Sequence, residues 1–219
     1  MSKGGSMKRL SAILFLSLLF SLCVAVPRSM ALGLGFYYTS GWGEAVYDAE
    51  DEDDNTWDFD VDLERRGYGL VLDTAVAKDR LVNFRLNLGN YNWEEADESG
   101  NHIDLDGFQA VADLGFGLVR NQYLRLWAGV EFTGAYGDGS LEENDAYEIT
   151  MINVGAGPVL GTNFHMGDRI SFGVKAGWLY ERFIGEGENT ITDTTVDYVG
   201  YTTQYFVTIS VFYRFNDVF

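Results

Sequence analysis

Most of the chain alternates between apolar and polar positions, and the clearest example is its last stretch, Tyr201 to Phe215. The odd-numbered positions of this stretch are almost all Tyr, Val, Ile or Phe, whereas the even-numbered positions are mostly hydroxyl, amide or Arg side chains. A period of two predicts a β-strand. Strands of soluble proteins have about 5–6 residues, and a tilted strand needs about 9–11 residues to cross a bilayer. The length of the stretch therefore favours a strand that crosses a membrane and extends beyond it.

Seven further alternating stretches precede this one, and after Ala31 we find no helical periodicity. The predicted strands are Leu32–Glu44, Thr56–Val76, Leu81–Trp93, Ile103–Arg120, Tyr123–Gly137, Tyr147–His165, Ile170–Phe183 and Tyr201–Phe215. We expect a β-bulge at Arg65 to Gly67, where the apolar phase of the second strand changes. We expect another at Pro158, which lies on an apolar position in mid-strand and removes one hydrogen bond from the ladder.

The second to eighth predicted strands each have one face of large apolar residues and one face of glycine, small or polar residues. A soluble lipocalin-like barrel is the alternative, but it places the large apolar face inside. The opposite arrangement is typical of a transmembrane barrel, with lipid outside and a narrow, filled interior. The sequence therefore predicts an all-β, eight-stranded antiparallel up-and-down transmembrane β-barrel.

The first 31 residues have the layout of a cleaved secretory signal peptide. A basic start is followed by an apolar run and by Ser29-Met30-Ala31, with Ala25 as the alternative cleavage site and Met7 as the alternative start. The predicted division is a signal peptide at 1–31 and a barrel domain at 32–219. Cleavage removes four basic residues, no acidic ones and the single cysteine, which takes the net charge from −18 to −22. So acidic a chain is not expected to bind nucleic acid.

The predicted connections fall into two classes. Three are short turns near residues 78, 121 and 167 that carry Lys or Arg, and four are long and acidic, at 44–60, 94–106, 138–148 and 186–197. The densest acidic loop consists of Asp48, Glu50, Asp51, Glu52, Asp53 and Asp54. We interpret it as a solvated loop, with weak binding of divalent cations as a hypothesis, and predict no structured metal site.

Seven charged residues fall on the inward-facing positions: Asp73, Arg85, Asp113, Arg125, Glu131, Lys175 and Glu181. An isolated charge away from water is costly, so these residues are expected to pair. The network predicts either a polar plug or a gated ion path. The plug is favoured because eight strands leave room only for side chains.

The ending Tyr213-Arg214-Phe215, together with the terminal Phe219, resembles the C-terminal signal of Gram-negative outer-membrane barrels. The whole mature chain resembles the small eight-stranded barrels of the OmpX, OmpW and OmpA-transmembrane-domain type. The resemblance implies a bacterial outer membrane, long loops outside the cell and both mature termini in the periplasm. It also implies contact with membrane lipid and lipopolysaccharide, and with the barrel-assembly machinery through the last strand.

The expected role is structural or interactive, carried by the acidic loops around a plugged lumen. The alternative is a narrow pore, or a lateral path for small apolar solutes. The two histidines, His102 and His165, lie at opposite ends of the predicted barrel, so we expect no enzyme activity and no cofactor.

Overall fold

A computed structural model describes residues 32–51, 56–74, 81–96, 102–141, 144–167, 169–189, 191–192 and 194–215. Eight strands make up this part of the chain: β1 (Gly33–Asp51), β2 (Thr56–Asp73), β3 (Val82–Ala96), β4 (His102–Arg120), β5 (Leu124–Leu141), β6 (Asn144–Met166), β7 (Ile170–Asn189) and β8 (Thr194–Arg214). Each strand pairs antiparallel with its neighbours in sequence, and β8 pairs with β1 to close the barrel. The predicted fold class is thus confirmed. The predicted signal peptide lies outside the described residues.

The barrel has two ends, which we name by their connections. The turn end carries the connections β2–β3, β4–β5 and β6–β7, the start of β1 and the end of β8. The loop end carries the connections β1–β2, β3–β4, β5–β6 and β7–β8. The described residues contain no helix that is long and apolar enough to cross a membrane.

The strands reach further towards the loop end than the sequence predicts. β1 continues to Asp51, β7 continues to Asn189, and β8 begins at Thr194 instead of Tyr201. Pairing between β1 and β2 persists as far as Glu50 opposite Thr56. The prediction of four long loops was therefore wrong, because most of those residues form hydrogen-bonded hairpins.

The apolar face of the sheet is the outward face in one part of the barrel and the inward face in the other. Over most of the barrel, large apolar side chains point outward and form an apolar belt. The belt consists of Leu34, Phe36, Tyr38, Trp42, Tyr68, Leu70, Leu88, Phe108, Leu114, Phe116, Val130, Phe132, Tyr136, Val154, Leu160, Phe164, Phe172, Val174, Trp178, Tyr180, Tyr205, Val207, Ile209, Val211 and Tyr213. Towards the loop end, the outward residues are charged and the inward residues are apolar, as in a soluble barrel.

This exchange explains why the bulge expected at Arg65 to Gly67 is absent. The pairing of β2 with β1 and with β3 runs through these residues without a register shift. Val61, Leu63 and Arg65 are all buried and share the inward face. The apolar residues of β2 therefore face inward at the loop end and outward in the apolar belt, while the strand itself stays regular.

The bulge expected at Pro158 is also absent. β6 and β7 keep one register on either side, from Ala156 opposite Tyr180 to Val159 opposite Gly177. Gly157 and Pro158 have no pairing partner on β7. Their pairing with β5 is continuous. Register shifts occur instead between Gly117 and Val119, and between Ser140 and Leu141.

Candidate functional site: a closed lumen and an acidic rim

The layer of the lumen nearest the turn end is closed by Arg85. Its guanidinium donates to Asp73 Oδ2 from Nε at 2.9 Å and from Nη2 at 2.6 Å, and Nη2 also donates to Asn163 Oδ1 at 2.8 Å. The rings of Trp127 and Phe212 both lie 5.3 Å from the same guanidinium. Arg85 and Asp73 are fully buried. This layer therefore pairs its charges and packs aromatic rings around them.

A second layer is centred on Lys175. Its Nζ donates to both oxygens of Asp113, at 2.9 and 2.8 Å, and to Glu131 Oε2 at 2.5 Å. Asp113 lies directly opposite Arg85 in the pairing of β3 with β4. The two layers thus form one alternating series of charges from Asp73 to Glu131. Alternating buried charges satisfy one another, which is the condition for keeping them in a narrow interior.

The remaining predicted charges also lie in the lumen. Arg125 is buried at the turn end, and its guanidinium is attracted electrostatically by Asp73. Glu181 belongs to a third layer, where both of its oxygens accept from Arg65 Nη1 at 2.9 Å. Glu181 Oε2 also accepts from Gln204 Nε2 at 2.5 Å. All seven predicted residues are therefore inward, in separate layers and not in one cluster.

Arg65 is a lumen charge that the sequence prediction did not include. Its Nη2 donates to Gln109 Oε1 at 2.9 Å, and its guanidinium lies 4.9 Å from the ring of Tyr91. The signal was present in the alternation of Gly67, Gly69 and Val71, which places Arg65 on the inward face. The bulge that we expected would have placed Arg65 on the outward face instead.

A small cavity separates the Lys175 layer from the Arg65 layer. It has a volume of about 30 Å³ and is lined by residues that include Asn87, Gln109, Glu131, Thr133 and Lys175. Asn87 Oδ1 and Thr133 Oγ1 are buried and have no hydrogen-bond partner among the described residues. A polar space of this size has room for about two water molecules, each needing about 10–15 Å³.

The loop-end part of the interior is apolar. We call it the loop-end core, and it consists of Ala45, Tyr47, Val61, Leu63, Tyr91, Trp93, Leu105, Ala135, Ile149, Met151 and Phe183. The ring of Tyr47 stacks on Phe59 at 4.8 Å and lies 4.5 Å from the ring of Phe183. These rings fill the interior above Arg65, so the described lumen contains four successive layers of packed side chains.

Glu95 faces the loop-end core and is 2% exposed. Its Oε1 accepts from the Tyr47 hydroxyl at 2.5 Å and from Trp93 Nε1 at 2.6 Å. It lies outside the membrane-spanning part of the barrel, since the outward neighbours Glu94, Asp104 and Glu64 lie on facing rungs. Burial raises the pKa of Glu95 to about 7, although the two hydrogen bonds act to lower it.

The outward face of the loop end forms what we call the acidic rim. Its described carboxylates are Glu44, Asp48, Glu50, Asp58, Asp60, Asp62, Glu64, Glu94, Asp104, Asp106, Asp138, Glu148, Glu186, Glu188 and Asp197. Only Arg66 and Arg182 provide positive charge on this described surface. Several carboxylates oppose each other directly across the ladder, as Asp48 opposes Asp58 and Glu186 opposes Asp197. Like charges in that position repel and destabilise the pair.

The described part of the predicted acidic loop forms a β-strand and not a loop. Asp48, Glu50 and Asp51 belong to β1, and Asp48 and Glu50 occupy outward positions of the hairpin that accommodate charge as readily as a loop does. Glu52, Asp53 and Asp54 lie outside the described residues.

The closing strand ends in an exposed aromatic pair. The rings of Tyr213 and Phe215 lie 5.3 Å apart in a T-shaped arrangement, and Arg169 Nη1 donates to the Tyr213 hydroxyl at 2.8 Å. Phe219 lies outside the described residues.

Candidate catalytic or metal-binding groups are few in the part of the chain that the structure describes. No group of three or more His, Cys, Asp or Glu residues is arranged there to hold a metal ion. His165 Nδ1 lies 2.8 Å from Ser171 Oγ, buried near the turn end. His102 belongs to β4 at the loop end.

Comparison with known proteins identifies the fold. The outer membrane protein OprG from Pseudomonas aeruginosa aligns with a TM-score of 0.67 at 10% sequence identity, over 85% of this chain and 96% of that chain. Ail, the attachment invasion locus protein of Yersinia pestis, and Neisserial surface protein A align at 12% and 13% identity, over 83% and 77% of this chain and 99% and 95% of theirs. Their TM-scores of 0.35 and 0.32 carry no structural argument. No protein-family model matches the chain, and no curated protein matches it.

These observations define the class of the protein. A closed eight-stranded ring with an outward apolar belt is a transmembrane β-barrel, and its likeness to OprG is a likeness of fold to a Gram-negative outer-membrane barrel. At 10% identity that likeness concerns the fold alone.

Proposed function

We propose that this protein is a non-conducting barrel of the bacterial outer membrane that holds the acidic rim at the cell surface. The observation that carries this proposal is the closure of the lumen by the Arg85, Lys175 and Arg65 layers and by the loop-end core. The described cavity between the Lys175 and Arg65 layers has a volume of only about 30 Å³. The exposed surface of the barrel then carries the function.

The proposed orientation places the loop end outside the cell and both mature termini in the periplasm. Bacterial barrels have short connections in the periplasm and longer hairpins outside. Here the hairpins extend beyond the apolar belt at the loop end only, and the chain enters and leaves at the turn end. In this orientation, the Tyr213 and Phe215 rings lie at the periplasmic rim, where we propose that the barrel-assembly machinery binds the last strand.

Planar-bilayer recording tests the closed lumen. We expect no conductance steps from the wild-type barrel, because every described layer pairs its charges or packs apolar rings. The double variant Lys175→Ala, Arg65→Ala enlarges the cavity and is also expected to stay silent, because the Arg85 layer and the loop-end core still fill the lumen on either side of it. Regular steps from the wild type in 1 M KCl would contradict the proposal.

The partners proposed for the acidic rim are divalent cations, which in turn bridge to the phosphates of lipopolysaccharide. Directly opposed carboxylates such as Asp48 and Asp58 repel one another, and hard cations such as Ca²⁺ and Mg²⁺ bind carboxylate oxygens. Cation binding relieves that repulsion and supplies the positive charge that phosphate groups need.

Thermal unfolding in detergent with and without Ca²⁺ tests this partner chemistry. Ca²⁺ is expected to raise the Tm of the wild type, and Asp48→Asn is expected to reduce the rise. Asp60→Asn is the matched control, because Asp60 also lies on the rim but opposes Val46. Equal Ca²⁺ responses in the two variants would show that opposed carboxylates are not the site.

A lateral path for small apolar solutes is the second candidate, favoured by the two missing rungs beside Pro158. The strands nevertheless approach closely there, since a Cβ added at Gly157 would lie 1.8 Å from the Trp178 carbonyl oxygen. Uptake of an apolar dye by proteoliposomes separates the candidates. A lateral path predicts uptake that Pro158→Ala lowers by restoring an N–H donor, whereas the closed barrel predicts equal background uptake for both proteins.

A further inference from the structure

Glu95 is an unusual component of the loop-end core. The core and the partly buried residues packed on it are otherwise apolar or aromatic: the core itself, plus Phe59, Ile103, Tyr147 and Tyr198. Glu95 brings a carboxyl group into this environment, with Oε1 bound by Tyr47 and Trp93 and with Oε2 buried and without a hydrogen-bond partner among the described residues. A carboxyl group in such a place is costly as an anion.

No described cation compensates this carboxyl group. The inward-facing cation on β2 is Arg65, one inward position below Leu63, which opposes Glu95. Its guanidinium is bound by both oxygens of Glu181. The other titratable groups facing this core are the phenols of Tyr47, Tyr91, Tyr147 and Tyr198. The pKa values of the Tyr47 and Tyr198 phenols are raised, mainly by burial. β4, β5 and the rest of β6 contribute apolar side chains to it.

We propose that Glu95 is a pH-sensitive switch that controls the packing of the loop-end hairpins. With Glu95 protonated, the core carries no net charge and the hairpins close over the Arg65 layer. When Glu95 loses its proton, the anion has two donors on one oxygen and none on the other. Hydrating the second oxygen requires water to enter the core, which loosens β1, β2, β3 and β4 at the loop end.

The direction of the pH dependence follows from the burial of Glu95. The pKa of Glu95 is about 7 in the closed hairpins, against an ordinary value of 4.5 for a Glu carboxyl group. Closure is therefore fully favoured below pH 4.5, and this contribution is lost as the pH rises through 7. If opening restores the ordinary pKa, the ratio of open to closed hairpins rises on the order of twentyfold between pH 5.5 and pH 7.5.

Fluorine NMR of the full-length barrel in lipid nanodiscs reads the proton directly. The protein is labelled with 5-fluorotryptophan, and the Trp93 signal is assigned by its loss in Trp93→Phe. Because Trp93 Nε1 donates to Glu95, its signal is expected to shift with a midpoint near pH 7. The shift is expected to vanish in Glu95→Gln and to persist in Glu94→Gln, which neutralises the adjacent outward carboxylate. A midpoint below pH 5.5, or a shift that persists in Glu95→Gln, would overturn the proposal.

Hydrogen exchange tests the conformational consequence. After correction for the intrinsic pH dependence of exchange, amides of residues 44–50 and 91–95 are expected to open about twentyfold more at pH 7.5 than at pH 5.5. Amides beside the belt residues are expected to show no such change. Equal opening of the loop-end amides at both pH values would contradict the switch, and this wild-type measurement remains decisive if Glu95→Gln fails to fold.

Discussion

The membrane part and the loop-end part of this barrel use the same eight strands with opposite chemistry. In the membrane part, Phe36 and Leu70 face outward while Arg85 and Lys175 face inward. In the loop-end part, Asp48 and Asp62 face outward while Tyr47 and Leu63 face inward. The solvent on the outside decides the arrangement, because hydrocarbon requires an apolar exterior and water allows an apolar core. The comparison shows that a strand can keep its register and exchange the chemistry of its two faces where it leaves the bilayer.

The largest effect is expected from breaking a buried charge layer in the membrane part. Lys175→Met leaves Asp113 and Glu131 in the lumen without their shared cation, and the removal of one partner from a buried ion pair costs about 3–5 kcal/mol. Urea unfolding in lipid vesicles measures the loss. Arg66→Met is the control, since Arg66 forms its ion pairs with Glu64 and Glu94 on the exposed surface; a comparable loss in both variants would contradict the distinction between the two parts.

In the loop-end part, the corresponding disruption is a cavity in the loop-end core. Phe183→Ala removes a ring that packs against Tyr47 and Trp93, and a Phe→Ala change in a core costs about 3 kcal/mol at the lower end of its range. Hydrogen exchange is expected to rise in the loop-end strands and to stay unchanged beside the belt. Uniformly faster exchange would mean that the two parts unfold as one unit.

A charge introduced on the outward face of the membrane part is expected to cause a smaller loss of stability. Leu70→Arg places a cation in the middle of the apolar belt, which costs about 2–4 kcal/mol near the bilayer midplane. The expected result is a lower urea midpoint in vesicles. A midpoint equal to that of the wild type would show that hydrocarbon does not surround Leu70.

The smallest effect is expected at the rim. Asp62→Asn changes an outward residue that faces water and opposes Glu44, so it relieves a like-charge repulsion and is expected to change the stability by no more than about 0.5 kcal/mol. Urea unfolding at pH 7 in low salt measures it. A loss above 1 kcal/mol would indicate that Asp62 has a structural partner.

The sequence predicted the fold and the inward position of seven charged residues because both depend on a period of two. Charges such as Asp73 and Lys175 interrupt otherwise small or polar faces, so their inward position could be inferred. The hairpins at the loop end could not be predicted in the same way. The rule that apolar residues face lipid fails there, so Val61 and Leu63 implied a bulge, and the run of carboxylates implied a loop. Glu95 was missed for the same reason, because its neighbour Glu94 and the nearby Asp and Glu residues indicate solvent exposure.

The constant register between β5 and β6 over most of their length has a mechanical consequence. β6 contains 23 residues, which at about 3.3 Å per residue measure roughly 75 Å along the strand, and the hydrocarbon that it crosses is only about 25 Å tall. Its rungs with β5 keep one alignment from Phe164 to Glu148, with no hinge in between. The part of this hairpin that projects beyond the bilayer is therefore expected to resist bending, because its ladder of hydrogen bonds is continuous.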